Sequence, residues 1–139
     1  LIVAGMRSYG FDEEALAVFL GLLEAASFFD EHRLPELFAG FSKREFGVPV
    51  TYPVACQPQA WAAASIPYMF TTLLGLIPEA FDHRLRIRHP IIPDFMNEVE
   101  IRRLRVGDAE VDLKFERALD TIAVKVLNLE GRLEVVVEL

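Results

Sequence analysis

Glu36 has the setting in this chain that best suits a reactive group. It lies in Arg33-Leu34-Pro35-Glu36-Leu37-Phe38-Ala39-Gly40-Phe41, a carboxylate among apolar neighbours where full exposure is not expected. Burial would raise its pKa and a nearby cation such as Arg33 or Arg44 would lower it, so general acid and general base roles are both open. The plainer alternative is a helix-end carboxylate that caps backbone N–H groups. Further along, Tyr52-Pro53-Val54-Ala55-Cys56-Gln57-Pro58-Gln59-Ala60-Trp61 brings amides and aromatics together. That combination suits sugars, whose C–H faces stack on rings while their hydroxyls bond to amides. Tyr52 and Trp61 serve equally well as core anchors with satisfied polar ends.

Other reactive side chains are poorly placed. Cys56 has no histidine near it in sequence and reads as a small buried hydrophobe. His32, His83 and His89 lack the spacing of a metal motif, so neither a metal nor another cofactor is expected. The basic positions Arg84, Arg86, Arg88, Arg102, Arg103 and Arg105 face a chain rich in carboxylates, and cross-strand ion pairs account for them more simply than an anion site.

The elements that must position Glu36 and Trp61 are helical. Ile2, Val3, Met6 and Tyr9 have helical spacing, and Gly10 can end that helix in the left-handed conformation. Asp12 is then a candidate N-cap, with Glu13 and Glu14 in the first turn and Phe11 placed to staple onto Leu16. From Ala15 to Phe29 the stripe Glu14, Ala17, Gly21 and Glu24 is narrow and apolar residues cover the rest, which predicts a helix buried on most sides. Residues 42–58 carry Gly47, Pro49, Pro53 and Pro58 and read as an ordered loop. A further helix is expected from about Pro58 or Gln59 to Leu76, kinked or split at Pro67.

After Ile77-Pro78 the apolar period changes to two. Ala109, Val111, Leu113 and Phe115 alternate with charged residues, as do Leu133, Val135 and Val137. Strands near 98–106, 109–117, 121–128 and 131–138 are expected as an antiparallel meander, joined by a strand at 84–88. A parity change at Arg102-Arg103 predicts a bulge. The expected class is α+β, with helices in 1–78 and an antiparallel sheet domain in 79–139.

The 139 residues are 53% hydrophobic and 25% charged, which describes a globular chain. A chain of that length buries roughly 68–70% of its unfolded surface. The net charge of −7 argues against nucleic acid and anionic membrane surfaces as partners and leaves a neutral substrate unaffected. No apolar run reaches the ~20 residues of a membrane span. One cysteine cannot form an internal disulfide, so a reducing, cytoplasmic location is preferred. Leu1–Met6 lacks a signal-peptide pattern and reads as the middle of a helix, from which a longer parent protein is expected.

Two stretches, Arg33-Leu34-Pro35-Glu36-Leu37-Phe38-x-Gly40-Phe41 and Tyr52-Pro53-Val54-Ala55-Cys56-x-Pro58-Gln59-Ala60-Trp61-Ala62-Ala63, resemble the C-terminal part of bacterial amylo-α-1,6-glucosidase (glycogen debranching enzyme)-like proteins. The resemblance continues through Arg84-Leu85-Arg86-Ile87 and Leu104-Arg105-Val106-Gly107-Asp108-Ala109. It implies the last hairpins of an (α/α)6 toroid followed by a small β-domain, and an oligo- or polysaccharide substrate. It also implies Glu36 as the base of an inverting hydrolysis, with Tyr52, Gln59 and Trp61 lining the sugar site. The general acid matches no residue here, so the chain alone is expected to be inactive. The alternative is a non-catalytic carbohydrate-binding or assembly module that forms homo-oligomers through an exposed helical face around Leu1–Phe29.

Overall fold

The computed structural model describes residues 1–119 and 121–138. It is a mixed α+β structure, with four helices and two three-stranded sheets among the described residues. Two compact units, Leu1–Phe70 and Thr71–Leu139, divide it. The sequence reading puts the change at 78/79, where the apolar period switches. The second unit begins earlier because backbone hydrogen bonds already tie its first residues to later strands: Leu73 accepts from the N–H of Ile91 at 2.9 Å and Gly75 from that of Arg88 at 3.0 Å.

In the first unit α1 (Ile2–Ser8) ends as expected at Gly10, whose φ is +78°. The N–H groups of Gly10 and Phe11 donate to the Arg7 and Met6 carbonyls, so two helix-end acceptors are satisfied in one turn. The next helix, α2 (Asp12–Ala26), has Asp12 as its first helical residue rather than its cap. The Asp12 carboxylate pairs with Arg7 across the α1–α2 turn instead. Glu14, Ala17, Gly21 and Glu24 form the expected exposed stripe. The rest of α2 corrects the expectation of burial on most sides. Only Ala15, Phe19 and Ala26 are buried, and the helix stops before Phe28, which is exposed. A unit of this size has too few neighbouring elements to cover the whole apolar circumference.

Phe29 and Leu34 complete a small core with Ala26, against which Leu22, Ala25, Ala62 and Ile66 pack. The loop expected at 42–58 contains one helical turn, α3 (Lys43–Phe46). Ser42 accepts from the N–H of Arg44 at 3.2 Å, and Gly47 closes the turn at φ +73°. α4 (Ala60–Leu73) runs through Pro67 as one helix. It stops short of Leu76, which already belongs to a strand.

In the second unit the meander is shorter than the sequence suggests. β3 (Glu98–Val106), β4 (Ala109–Ala118) and β5 (Thr121–Glu130) form an antiparallel sheet in that order. Its register shifts between Ile101 and Leu104, the bulge expected at Arg102-Arg103, with Arg103 at φ +56°. β1 (Leu76–Glu79), β2 (Arg84–Arg88) and β6 (Glu134–Glu138) form a second sheet in which β2 and β6 run parallel. An antiparallel sheet joined by strand 84–88 and closed by 131–138 is therefore not what forms.

The side chains explain the choice. In parallel register Arg84 meets Glu134, Leu85 meets Val135 and Ile87 meets Val137. Arg84 reaches Glu134 at 2.9 Å, and Arg86 reaches Glu79 at 2.9 Å and Glu138 at 3.7 Å, so these two make the cross-strand ion pairs expected, as Arg105 does with Glu110 at 3.4 Å, whereas Arg102 pairs with Glu100 on its own strand. Gly131 turns the chain away from β5 at φ +87°, where any Cβ would lie 3.0 Å from the Ala109 Cα. Gly75 is more constrained still, since a Cβ there would lie 2.0 Å from the Arg88 carbonyl oxygen. Leu85, Ile87, Val111, Leu113 and Phe115 are fully buried.

Candidate functional site

Leu34 and Pro35 are buried, so the chain leaves the small helical core just before Glu36. It then meets the Pro-rich loop. The N–H of Glu36 donates to the Cys56 carbonyl at 3.1 Å, and the N–H of Cys56 donates to Glu36 Oε2, also at 3.1 Å. Phe38 bridges Thr51 in antiparallel sense, and the N–H of Ala39 donates to the Val50 carbonyl at 2.9 Å. These bonds hold the carboxylate by backbone on both sides. Of the helix-end alternative, the structure shows a backbone N–H bound by Oε2, but that N–H belongs to Cys56 in the loop rather than to a helix end.

Cys56 is exposed, which corrects its reading as a small buried hydrophobe. A tight backbone pairing carries it to the surface of the loop. Its thiol pKa is raised, chiefly by the hydrogen bond to Glu36 and then by that carboxylate's negative charge. Such a thiol is a weaker nucleophile at neutral pH than an isolated one.

Glu36 lines an open groove of about 560 Å³. Leu22, Leu34 and Pro35 give it apolar walls, and Phe38, Trp61 and Tyr68 supply three rings. Trp61 is 74% exposed and Tyr68 47% exposed, so both present ring surface to solvent. Ser65 also lines the groove, but its hydroxyl donates to the Ala62 carbonyl at 2.6 Å. Of the residues expected at a sugar site, the structure brings Glu36 and Trp61 together. Tyr52 and Gln59 are not among the groove's lining residues. Gln59 Oε1 accepts from the N–H of Ala60 at 2.8 Å, at the start of α4. Gln57 lines a separate depression with Asp30 and Thr51.

Tyr68 was not singled out from sequence, although the signal was present. Positions 61, 65 and 68 follow the helical i, i+4, i+7 spacing, so a ring at 61 on the groove side brings 68 to that side as well. The arrangement can hold a ligand with apolar faces and polar edges, stacking it on the rings while Glu36 accepts a proton or a hydrogen bond. Among the described residues no cluster of three or more His, Cys, Asp or Glu side chains could hold a metal ion. No helix among them is long and apolar enough to cross a membrane. Comparison with known proteins returned no matching family model, no matching curated protein and no matching solved structure.

Proposed function

We propose that these residues form the C-terminal portion of a glycoside hydrolase acting on α-glucosidic linkages, of the amylo-α-1,6-glucosidase type. In this reading α1–α4 are the last hairpins of an (α/α)6 toroid and Glu36 is the general base of an inverting hydrolysis. The observation that carries it is the shared groove, in which a carboxylate fixed by the Cys56 backbone lies with the exposed ring of Trp61. Glu36 Oε2 accepts the Cys56 N–H, and Oε1 takes the proton of the attacking water. The acid that protonates the leaving oxygen belongs to another part of the parent protein, with its carboxyl about 6.5–9.5 Å from that of Glu36 so that water fits between base and sugar. Trp61 and Tyr68 supply the stacking surface. Tyr52 and Gln59 act at the rim of the site once further hairpins enclose it.

Trp61 is the only tryptophan, so intrinsic fluorescence reports on the groove directly. Titration with short α-linked glucose oligosaccharides is expected to change its intensity or emission maximum; an unchanged spectrum into the millimolar range overturns the groove as a sugar site. In the parent protein Glu36→Gln is expected to retain binding and lose hydrolysis by several orders of magnitude. Retained turnover overturns the base assignment.

A second reading has its own observation. Leu1, Ile2, Tyr9 and Phe11 are 54–96% exposed, as a non-catalytic assembly module that associates through its helical face requires. Sugar binding without any hydrolysis in the parent protein would favour that reading.

A further inference from the structure

The outer strand of an open sheet presents unpaired backbone N–H and C=O groups to a second chain. Among the described strands there are four such edges, β3 and β5 in one sheet and β1 and β6 in the other. Three of them discourage pairing. β3 bears Glu98, Glu100, Arg102, Arg103 and Arg105, five charges in nine residues. β1 has four residues and includes Pro78, which has no N–H to offer. β6 begins and ends in glutamate, so centred antiparallel pairing with its own copy would set Glu134 against Glu138. β5 differs from these. Its 10 residues carry two charges, Lys125 and Glu130, and Val126, Leu127 and Leu129 are 40–49% exposed.

A second irregularity fixes how β5 could meet a copy of itself. In an unbroken strand, residues 125 and 130 face opposite sides, because side chains alternate. Here the β4–β5 register shifts at Asp112/Leu113, leaving Leu127 as the extra residue. Lys125 is consequently opposite Lys114 and Glu130 opposite Glu110, both on the charged face. Val126 is opposite Leu113 and Leu129 opposite Val111, both on the buried-residue face. A two-fold axis perpendicular to the sheet keeps each face on its own side, so self-pairing must match charged with charged and apolar with apolar. Placing Lys125 against Glu130 of the second copy does so at both ends, with Val126 against Leu129 between them. Centring the pair on Lys125 would set lysine against lysine, and moving the register by two residues would give up the charge pair.

We propose that β5 is a self-recognition edge through which two copies form a two-fold dimer, with residues 125–130 paired antiparallel and a Lys125–Glu130 contact at each end. Lys125 already pairs with Glu116 of its own chain. It would then bridge two carboxylates, as Lys114 does between Glu98 and Glu116 at 2.8 Å each.

Sedimentation equilibrium up to about 1 mM, the weak end of the affinity scale, reads the association. A reversible monomer–dimer equilibrium is expected. Lys125→Glu and Glu130→Lys each put like charges together at both ends and should raise the dissociation constant on the order of tenfold. Mixing the two variants restores opposite charges at both ends, so a heterodimer of wild-type strength should form, and the double variant should dimerise as the wild type does. Circular dichroism checks that each variant is folded. Glu130→Lys is the safer change, since its new charge lies across from Glu110. A monomer throughout, a dimer that ignores both variants, or a mixture that fails to regain affinity overturns the proposal. Sugar binding in the groove is read separately at Trp61, so the two ideas fail independently.

Discussion

In the second unit Phe115, Leu113, Val111, Ile87 and Leu85 are fully buried, whereas in the first Leu1, Ile2, Tyr9 and Trp61 are 72–96% exposed. The two units are of nearly equal length and both are rich in apolar residues. The difference lies in how each can use them. A strand with period-two alternation needs only one covered face, and β4 meets that need with one apolar row. α2 presents apolar side chains over most of its circumference, and within 70 residues only part of that surface finds a partner. Among the described residues the largest fully buried side chains therefore lie in the strand unit, Phe19 excepted, while both units leave large apolar side chains exposed, Phe81, Phe95 and Leu119 among them in the strand unit.

The largest effect that could break this comparison is a cavity in the strand core. Phe115→Ala is expected to cost about 3–5 kcal/mol, as truncating a fully buried phenylalanine does. Phe41→Ala, at an exposed position tilted against Phe46 with 4.9 Å between ring centroids, should cost about 1 kcal/mol. Urea denaturation followed by circular dichroism measures both. Trp61 fluorescence follows the helical unit alone, because the only tryptophan lies there. Equal costs for the two substitutions would mean that burial does not set what these two side chains contribute.

The same contrast explains what could be read from the sequence. The bounds of β2, β3 and β4, to within a residue, and the bulge at Arg102-Arg103 were legible because alternation is a local signal and a change of parity marks a bulge directly, whereas β1, where a helix was expected to reach Leu76, and the start of β6 at Glu134 rather than 131 were not. The partner of β6 was not. Parallel pairing with β2 depends on matching Glu134 and the valines to Arg84, Leu85 and Ile87 across a long stretch of chain, and no local pattern encodes that. In the helical unit the carboxylate and Trp61 were legible as a pair suited to one site, while Cys56 was misread. Its exposure follows from two bonds to Glu36, one from that residue's backbone N–H and one to its carboxylate, which fix where the loop lies. Gln59 is expected at a sugar site, and the bond its amide oxygen accepts from the Ala60 N–H at the start of α4 has no signal in the residue pattern.

A smaller effect tests how far surface charge supports the strand unit. Glu116 lies between Lys114 and Lys125, and hydrogen bonds to these two ammonium groups, Lys114 first, hold its pKa down from 4.5 to about 2. The folded state thus keeps the carboxylate ionised at pH values where the unfolded chain protonates it. A depressed carboxylate pKa contributes stability that is present above the unfolded value and lost as pH falls through the folded one. The contribution should be intact above about pH 4.5 and fade toward pH 2. Glu116→Gln removes it. The wild-type urea midpoint should fall more steeply than the variant's across that window; parallel curves would show that this charge ladder adds nothing measurable to the sheet.

The smallest effect bears on the helical unit and on Glu36 itself. An exposed thiol is ordinarily alkylated at a rate set by its thiolate fraction. At Cys56 the neighbouring carboxylate disfavours the thiolate, so iodoacetamide should react more slowly at neutral pH than with a cysteine in a short unstructured peptide. Glu36→Gln removes the charge and keeps an oxygen that can accept the Cys56 N–H, so the loop should hold its place while the thiol reacts faster. The rate difference should shrink as pH rises, because both thiols approach full ionisation. This outcome needs neither sugar nor a catalytic partner, and it tests the geometry on which the groove depends. Identical alkylation rates in wild type and variant would place the Glu36 carboxylate away from Cys56, and a carboxylate free of that loop would no longer be held beside Trp61.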